Sequence, residues 1–288
     1  MSTRPEVITD VGTTISWIVT DLDGTIVGRD LRLVERSVAA LEAFRRDGGE
    51  VYIATGRNEV SALPFYRRLG LDTPAILYNG ARITDLSTGE RLLDRKVDSR
   101  RRSAVRVIMP RLSDRFGVVG FAGHEAYVLR PAASLAAYAH RDAIELLPAG
   151  DRTLHNTDFS KIMIIGDPEA PLAEPRALLA EAGVIDYLVQ SEKGYLEVLP
   201  VGADKGSALL WLAEHRGVDL AGVAAIGDNP NDAAMITAAG LGVAVGGAHP
   251  DAIAAADQVV GRCEDGAMAE LVELIRADRR PPAVGTVR

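Results

Sequence analysis

The sequence predicts an α/β fold: a doubly wound parallel sheet carrying an inserted α+β segment. Three observations carry this reading. Short apolar runs recur along the chain, each ending in a small or polar cluster. Segments with helical periodicity lie between them, and buried strands alternating with amphipathic helices imply a parallel sheet covered on both faces. The alternation then breaks between about residues 84 and 194 and resumes afterwards.

The first run is WIVT (17–20), followed by RLVERSVAALEAFRRDGG (32–49), where Val34, Val38, Leu41 and Phe44 or Arg45 mark one helical stripe and Gly48-Gly49 its stop. VYIA (51–54) and AILY (75–78) are the next two expected strands of the parallel sheet. In the interruption, SRRRSAVRVIMPRLSD (99–114) reads as a basic helix, with RRRSAVR a solvated face. FGVVGFAG (116–123) and EAYVLR (125–130) are spaced as an antiparallel pair. An Ala-rich helix, the strand SKIMIIG (160–166) and a helix beginning near Pro171 complete it. Alternation returns with DKGSALLWLAEHRGV (204–218), closed by Gly217, then VAAIG (223–227), GVAV (242–245) and QVV (258–260). The expected organisation is a core of 14–83 plus 195–276, an inserted segment of 84–194, and flexible termini at 1–13 and 277–288.

Composition narrows the function. Of 288 residues, 47% are apolar and 25% charged, the values of a soluble globular chain. The formal charge of −8 and the 5% aromatic content argue against nucleic-acid or anionic-membrane partners. A single cysteine, Cys263, excludes an intrachain disulfide framework or a thiolate cage. No apolar run approaches the ~20 residues of a membrane span, so a cytoplasmic location is expected.

Ligands of an open parallel sheet bind beyond the carboxyl ends of its strands. After WIVT come Asp21-Leu22-Asp23-Gly24-Thr25, and after VYIA come Thr55-Gly56-Arg57. Lys205-Gly206 opens the helix before VAAIG, and Asp228-Asn229-Pro230-Asn231-Asp232 follows that run. Each cluster alone has an ordinary explanation: an Asp-Gly turn, a loop arginine, a helix-start lysine, an N-cap with proline in the first turn. Together they bring carboxylates, a hydroxyl, a lysine and backbone N–H groups to one sheet edge.

As DLDGT, ATGR, DKGSAL and GDNPNDAAM, these clusters resemble the four signature motifs of the haloacid dehalogenase (HAD) superfamily of phosphohydrolases. A segment inserted between the second and third motifs, with ILYNGARI at its entrance, is similar to the Cof-type sugar phosphatases of subfamily IIB. LGVAVGGAHPDAIAAADQVV and EDGAMAELVELI follow that family's closing pattern. Two departures, Thr20 for an aromatic or serine and Gly247-Ala248-His249 for Asn-Ala, lie away from the expected chemistry.

The resemblance implies a Rossmann-like core with a type C2 cap, and Mg²⁺-dependent hydrolysis of a small phosphate monoester, such as a sugar phosphate, through an aspartyl-phosphate. Asp21 would be the nucleophile, and a hard cation would offset its repulsion from the phosphate. The implied metal ligands are Asp21, the backbone carbonyl of Asp23, and Asp228. Asp23, two residues beyond the nucleophile, would protonate the leaving alcohol and then deprotonate water, a task needing a pKa above the reference ~3.9. Lys205, the Thr55 hydroxyl, the amides of Leu22 and Gly56, and Asn231 would hold the phosphoryl oxygens. Thr25 would steady Asp23 or the turn, and Asp232 the water shell of the metal. Arg57, Asn79 and Lys161 are candidate substrate contacts, with a hinge or turn the alternative for Asn79. A phosphomutase would share these core motifs. A phosphate-binding module without turnover would dispense with Asp21 or Asp23, and both are present.

Overall fold

The computed structural model describes residues 14–150 and 153–278. The termini expected to be flexible lie outside these, apart from 277 and 278 at the end of the last helix.

Along the chain come β1 (Trp17–Thr20), α1 (Glu35–Arg46), β2 (Glu50–Ile53), α2 (Glu59–Arg68) and β3 (Ala75–Leu77). The next are β4 (Arg82–Thr84), β5 (Arg91–Asp94), α3 (Ser99–Ile108), β6 (Gly117–Ala122) and β7 (Glu125–Arg130). They lead to α4 (Ser134–Asp142), β8 (Leu146–Pro148), the single turn α5 (Thr153–Asn156), β9 (Lys161–Ile165), α6 (Ala173–Glu181), β10 (Leu188–Glu192) and β11 (Tyr195–Val198). The chain closes with α7 (Lys205–Arg216), β12 (Val223–Gly227), α8 (Ala233–Ala238), β13 (Leu241–Ala244), α9 (Pro250–Ala255), β14 (Gln258–Val259) and α10 (Ala267–Asp278).

Five strands form a parallel sheet in the order β14-β13-β12-β1-β2. β1 is an interior strand buried on both faces, which explains why WIVT is a continuous apolar run and not an alternating one. Its neighbours are β2 on one side and β12 on the other, so the chain reverses direction across the sheet at β1. That reversal opens a crevice at the carboxyl end of β1, where Asp21 emerges. On α1 the predicted stripe is real: Val38, Leu41 and Phe44 are buried, each worth about 1.5–3 kcal/mol of transfer free energy. α7 starts on a capping box between Asp204 and Ser207 and stops at Gly217, whose φ is +66°. The cap fixes where the first helical residue, Lys205, points.

A second sheet of six strands, β10-β11-β9-β6-β7-β8, is antiparallel except where β7 meets β8. It carries its own apolar cluster, including Phe116, Phe159, Ile162, Ile164 and Leu196. α3 covers part of this cluster, and its Arg101 departs from the solvated face expected of RRRSAVR. It is 4% exposed because Asp98 and Asp186 each accept from it at 2.6 Å.

AILY departs from expectation in part. β3 lies beside the end of β2 in the expected parallel sense, but through a single bridge, Ala54 to Ile76, and its ladder is with β4 in a three-stranded antiparallel sheet completed by β5. The cause is the turn that follows: Tyr78, Asn79 and Gly80 have φ of +52°, +53° and +90°, and they fold β4 back onto β3. Asn-Gly between two apolar runs is a hairpin signal. The hydrogen bonding also cuts across the expected boundaries: residue 84 lies within β4, and 195 separates β10 from its ladder partner β11. Arg82 of β4 is fully buried, donating to Glu59 at 2.6 Å, Asp94 at 3.0 Å and the Gly123 carbonyl at 2.9 Å. One side chain thus ties α2 to the antiparallel sheet.

Candidate active site

The turn after β1 is closed by the Leu22 carbonyl, which accepts from the amides of Thr25, Ile26 and Val27 at 3.3, 3.0 and 2.8 Å. The Leu22 side chain enters the core, so its two flanking carboxylates, Asp21 and Asp23, are left at the sheet edge. Gly24 adopts φ +81°, and a Cβ there would meet Asp228 Oδ2 at 2.4 Å. Glycine is required at this point by both conformation and space.

Lys205 Nζ donates to Asp21 Oδ1 at 2.6 Å and to Asp232 Oδ1 at 2.5 Å, and all three side chains are buried. Asp232 has its second oxygen engaged too, accepting from the amides of Asp228 and Asn229 at 3.0 and 2.9 Å. With every oxygen committed, Asp232 buttresses the loop and orients Lys205. Asp228 is held instead by Thr25 Oγ1, which donates at 3.1 Å. Thr25 therefore steadies Asp228, where Asp23 or the turn was expected.

Carboxylate oxygens of Asp21, Asp228 and Asp232 lie within 4.8 Å of one another. Burial pushes the Asp21 carboxyl well above its ordinary range, and the neighbouring carboxylates add to that against the pull of Lys205. Asp228 rises to about 7, from burial first and Asp232 second. Burial alone would lower the Lys205 ammonium, but Asp21 and Asp232 outweigh it and hold it above its usual value. The cluster has more negative charge than one lysine offsets, which is the condition a hard cation relieves.

Asp23 is gripped by Arg57, which donates from Nε at 2.8 Å and Nη2 at 2.7 Å. Arg57 is 8% exposed, so a solvated loop arginine is not what the structure holds. Its backbone N–H donates to Thr55 Oγ1 at 3.1 Å, a bond that leaves the Thr55 proton free to donate elsewhere. Thr55, Gly56, Arg57, Lys161, Asn231, Asp21, Asp23 and Asp228 all line one cavity of about 220 Å³. Asn79 lies behind that wall. It is 1% exposed, donating to Glu197 Oε2 at 2.8 Å and accepting from Asn231 Nδ2 at 2.9 Å. Lys161 Nζ donates to the Gly56 carbonyl at 2.8 Å and sits 3.2 Å from Glu197.

The antiparallel sheet and α4 supply the facing wall, with Tyr138, Arg141, Asp142, Glu192, Tyr195 and Glu197, none of them anticipated from sequence. Arg141 donates to Asp142 at 2.9 Å, pairs with Glu192 and stacks 5.1 Å over the Tyr195 ring. The one signal available was Glu197, a lone charge inside the buried strand YLEV.

Comparison with known proteins agrees with this geometry. The family model for haloacid dehalogenase-like hydrolases matches residues 18–272. An HMP-PP phosphatase of Serratia proteamaculans (strain 568) is 30% identical over 255 residues, covering 88% of this chain and 92% of that protein. A haloacid dehalogenase-like hydrolase from Bacteroides thetaiotaomicron superposes with a TM-score of 0.77 at 25% identity, over 91% of this chain and 100% of that one. The HAD subclass IIB sugar phosphatase BT4131 has the same fold, with a TM-score of 0.78 at 21% identity over 91% and 99% of the two chains. With its two aspartates on the first turn, its lysine on α7 and its acidic loop after β12, the chain belongs to the haloacid dehalogenase-like hydrolase family.

Proposed function

We propose that this protein is a Mg²⁺-dependent phosphatase that hydrolyses a small phosphate monoester through an aspartyl-phosphate on Asp21. The observation that carries the reading is the buried contact of Asp21 with Lys205, beside the carboxylate of Asp228, at the carboxyl end of β1. Lys205 fixes the Asp21 carboxylate in direction and faces the phosphoryl charge as it transfers. The donor set fits a hard divalent cation: Asp21 and Asp228, with the Asp23 carbonyl completing the protein's share. Such a cation, when bound, neutralises charge on the phosphoryl oxygens.

Asp21 attacks phosphorus in line with the leaving alkoxide, and the P–O bond to the alcohol breaks. Asp23 delivers the proton to that oxygen, then accepts one from the water that cleaves the acyl phosphate, regenerating Asp21. In the structure Arg57 holds Asp23 as an acceptor, so a substrate that engages Arg57 also frees Asp23 for proton transfer. The Thr55 hydroxyl and Asn231 bind phosphoryl oxygens. Residues 84–194 together with β11 act as the cap, whose polar wall of Arg141, Asp142 and Glu192 suits a hydroxyl-rich leaving group such as a sugar. The partner is a small phosphorylated metabolite. Among the described residues, no helix is long and apolar enough to cross a membrane.

The test is phosphate release from a panel of sugar phosphates, HMP-PP and an aryl phosphate, with Mg²⁺ and with EDTA, alongside Asp21→Asn. Release that needs both the metal and Asp21 is expected. Absence of release from every compound by folded protein overturns the reading.

A further inference from the structure

Glu197 is the buried charge that this mechanism leaves unused. It is 1% exposed in β11, between Leu196 and Val198. A carboxylate in such a place must be fully bonded. It accepts from Asn79 Nδ2 at 2.8 Å and Ser191 Oγ at 2.6 Å, and Lys161 Nζ lies 3.2 Å away.

A carboxylate only accepts hydrogen bonds, and this fixes the direction of everything beyond it. Asn79 must turn its Nδ2 to Glu197 and its Oδ1 to Asn231. Asn231 must then answer with Nδ2, at 2.9 Å. The outcome is visible at the far end: Asn231 Oδ1 is buried with no hydrogen-bond partner among the described residues. Reversing the Asn231 amide would set two carbonyl oxygens face to face, so the upstream carboxylate wins. One Nδ2 proton goes to Asn79, and the other remains for the cavity wall that Asn231 shares with Thr55 and Gly56.

The backbone is bent to build this row. Tyr78 and Asn79 both occupy the left-handed region, which disfavours side chains with a Cβ. Gly80 follows at φ +90°, where a Cβ would stand 2.0 Å from the Asp204 carbonyl. Close packing against the start of α7 thus holds a strained turn whose effect is to aim Asn79.

We propose that Glu197 is a positioning residue. Delivered by the antiparallel sheet, it sets the polarity of Asn79 and, through it, of Asn231, so that Asn231 offers an N–H to the phosphoryl group only while that sheet is seated on the core. The same carboxylate steadies Lys161, which holds the Gly56 carbonyl. This rests on the phosphatase reading above.

The decisive experiment is a polarity swap. Glu197→Gln keeps the shape but lets position 197 donate, so the row can reverse. Asn79→Asp removes the donor that Glu197 needs. In the double variant the introduced glutamine donates to the introduced aspartate, which again accepts from Asn231, and the total charge is unchanged. Each single variant is expected to lose about tenfold or more in kcat/KM, the worth of one hydrogen bond to a charged group. The double variant is expected to return to within about threefold of the parent, where independent effects would multiply. Binding of inorganic phosphate by calorimetry, with Mg²⁺, should follow the same order. Glu197→Gln at parental kcat/KM, a double variant with multiplied losses, or one that does not fold overturns the proposal. If a single variant fails to fold, the double decides alone. Active parent with the wrong variant pattern defeats this inference only; a parent that neither hydrolyses the panel nor binds phosphate defeats the phosphatase reading with it.

Discussion

Arg57 and Asp23 form a two-pronged pair, Nε to Oδ2 at 2.8 Å and Nη2 to Oδ1 at 2.7 Å, with the guanidinium 4.9 Å over the Phe65 ring. A fork of this kind fixes the direction of a carboxylate as well as balancing its charge. Lysine retains the charge but not the fork. Arg57→Lys is therefore expected to cost about tenfold or more in kcat/KM, with little change in melting temperature. Steady-state kinetics across pH checks it, and parental values would remove Arg57 from the machinery.

Asp21→Asn should lower phosphate release on the order of a thousandfold or more, because no other group can take its bond to phosphorus. The same variant should melt higher than the parent when both are free of metal, since it removes a carboxylate that burial disfavours. Activity and calorimetric melting move in opposite directions if this is right. A variant that loses both has been damaged in folding.

Asp228 supplies a pH test. Its folded-state pKa, about 7, is raised above that of the unfolded chain. The folded protein thus prefers the protonated form. The associated stability is complete below the unfolded pKa of ~3.9 and is lost as pH rises through about 7. Metal-free protein should melt progressively lower from about pH 4 to about pH 7, and Asp228→Asn should flatten that fall by about 1–4 kcal/mol. Added Mg²⁺ at the alkaline end should raise the parent's midpoint more than the variant's. Identical pH slopes for the two proteins would refute the assignment.

Gly24→Ala tests the turn itself. Its φ of +81° and the 2.4 Å approach of a Cβ to Asp228 Oδ2 leave no room for the methyl. About 1–2 kcal/mol of backbone strain is expected in a chemical melt. A metal-dependent loss of activity well beyond that strain should accompany it, because Asp228 must move. Full activity would mean that the turn relaxes freely.

Much of this site was legible because strand-end residues follow from hydrophobic pattern alone. Once WIVT and VAAIG are read as buried parallel strands, Asp21 and Asp228 must meet at one edge, and the helix start at Lys205 falls beside them. Arg57 was visible, but not its hold on Asp23, which depends on how the loop after β2 curls. Thr25 was legible as a support but not as a support for Asp228, because one turn offers the hydroxyl several partners. Glu197, Arg141 and Tyr195 stayed hidden for a different reason. They come from the antiparallel sheet, and nothing in their local pattern says which face of that sheet meets the core. AILY was right as a parallel neighbour of β2 only as far as one bridge, because the left-handed turn after it commits its ladder to β4.

The interior place of β1, paired to β2 within 35 residues and to β12 about two hundred residues further on, also governs when the site comes into being. Contacts of such long range close late. A chain emerging from the ribosome exposes Asp21 early, while the strand and the lysine that complete its surroundings belong to the last third of synthesis. Any fragment released before Lys205 and Asp228 are added carries the first carboxylates without their counterweights. On the mechanism proposed above, premature termination therefore yields an inert stub rather than an unregulated enzyme.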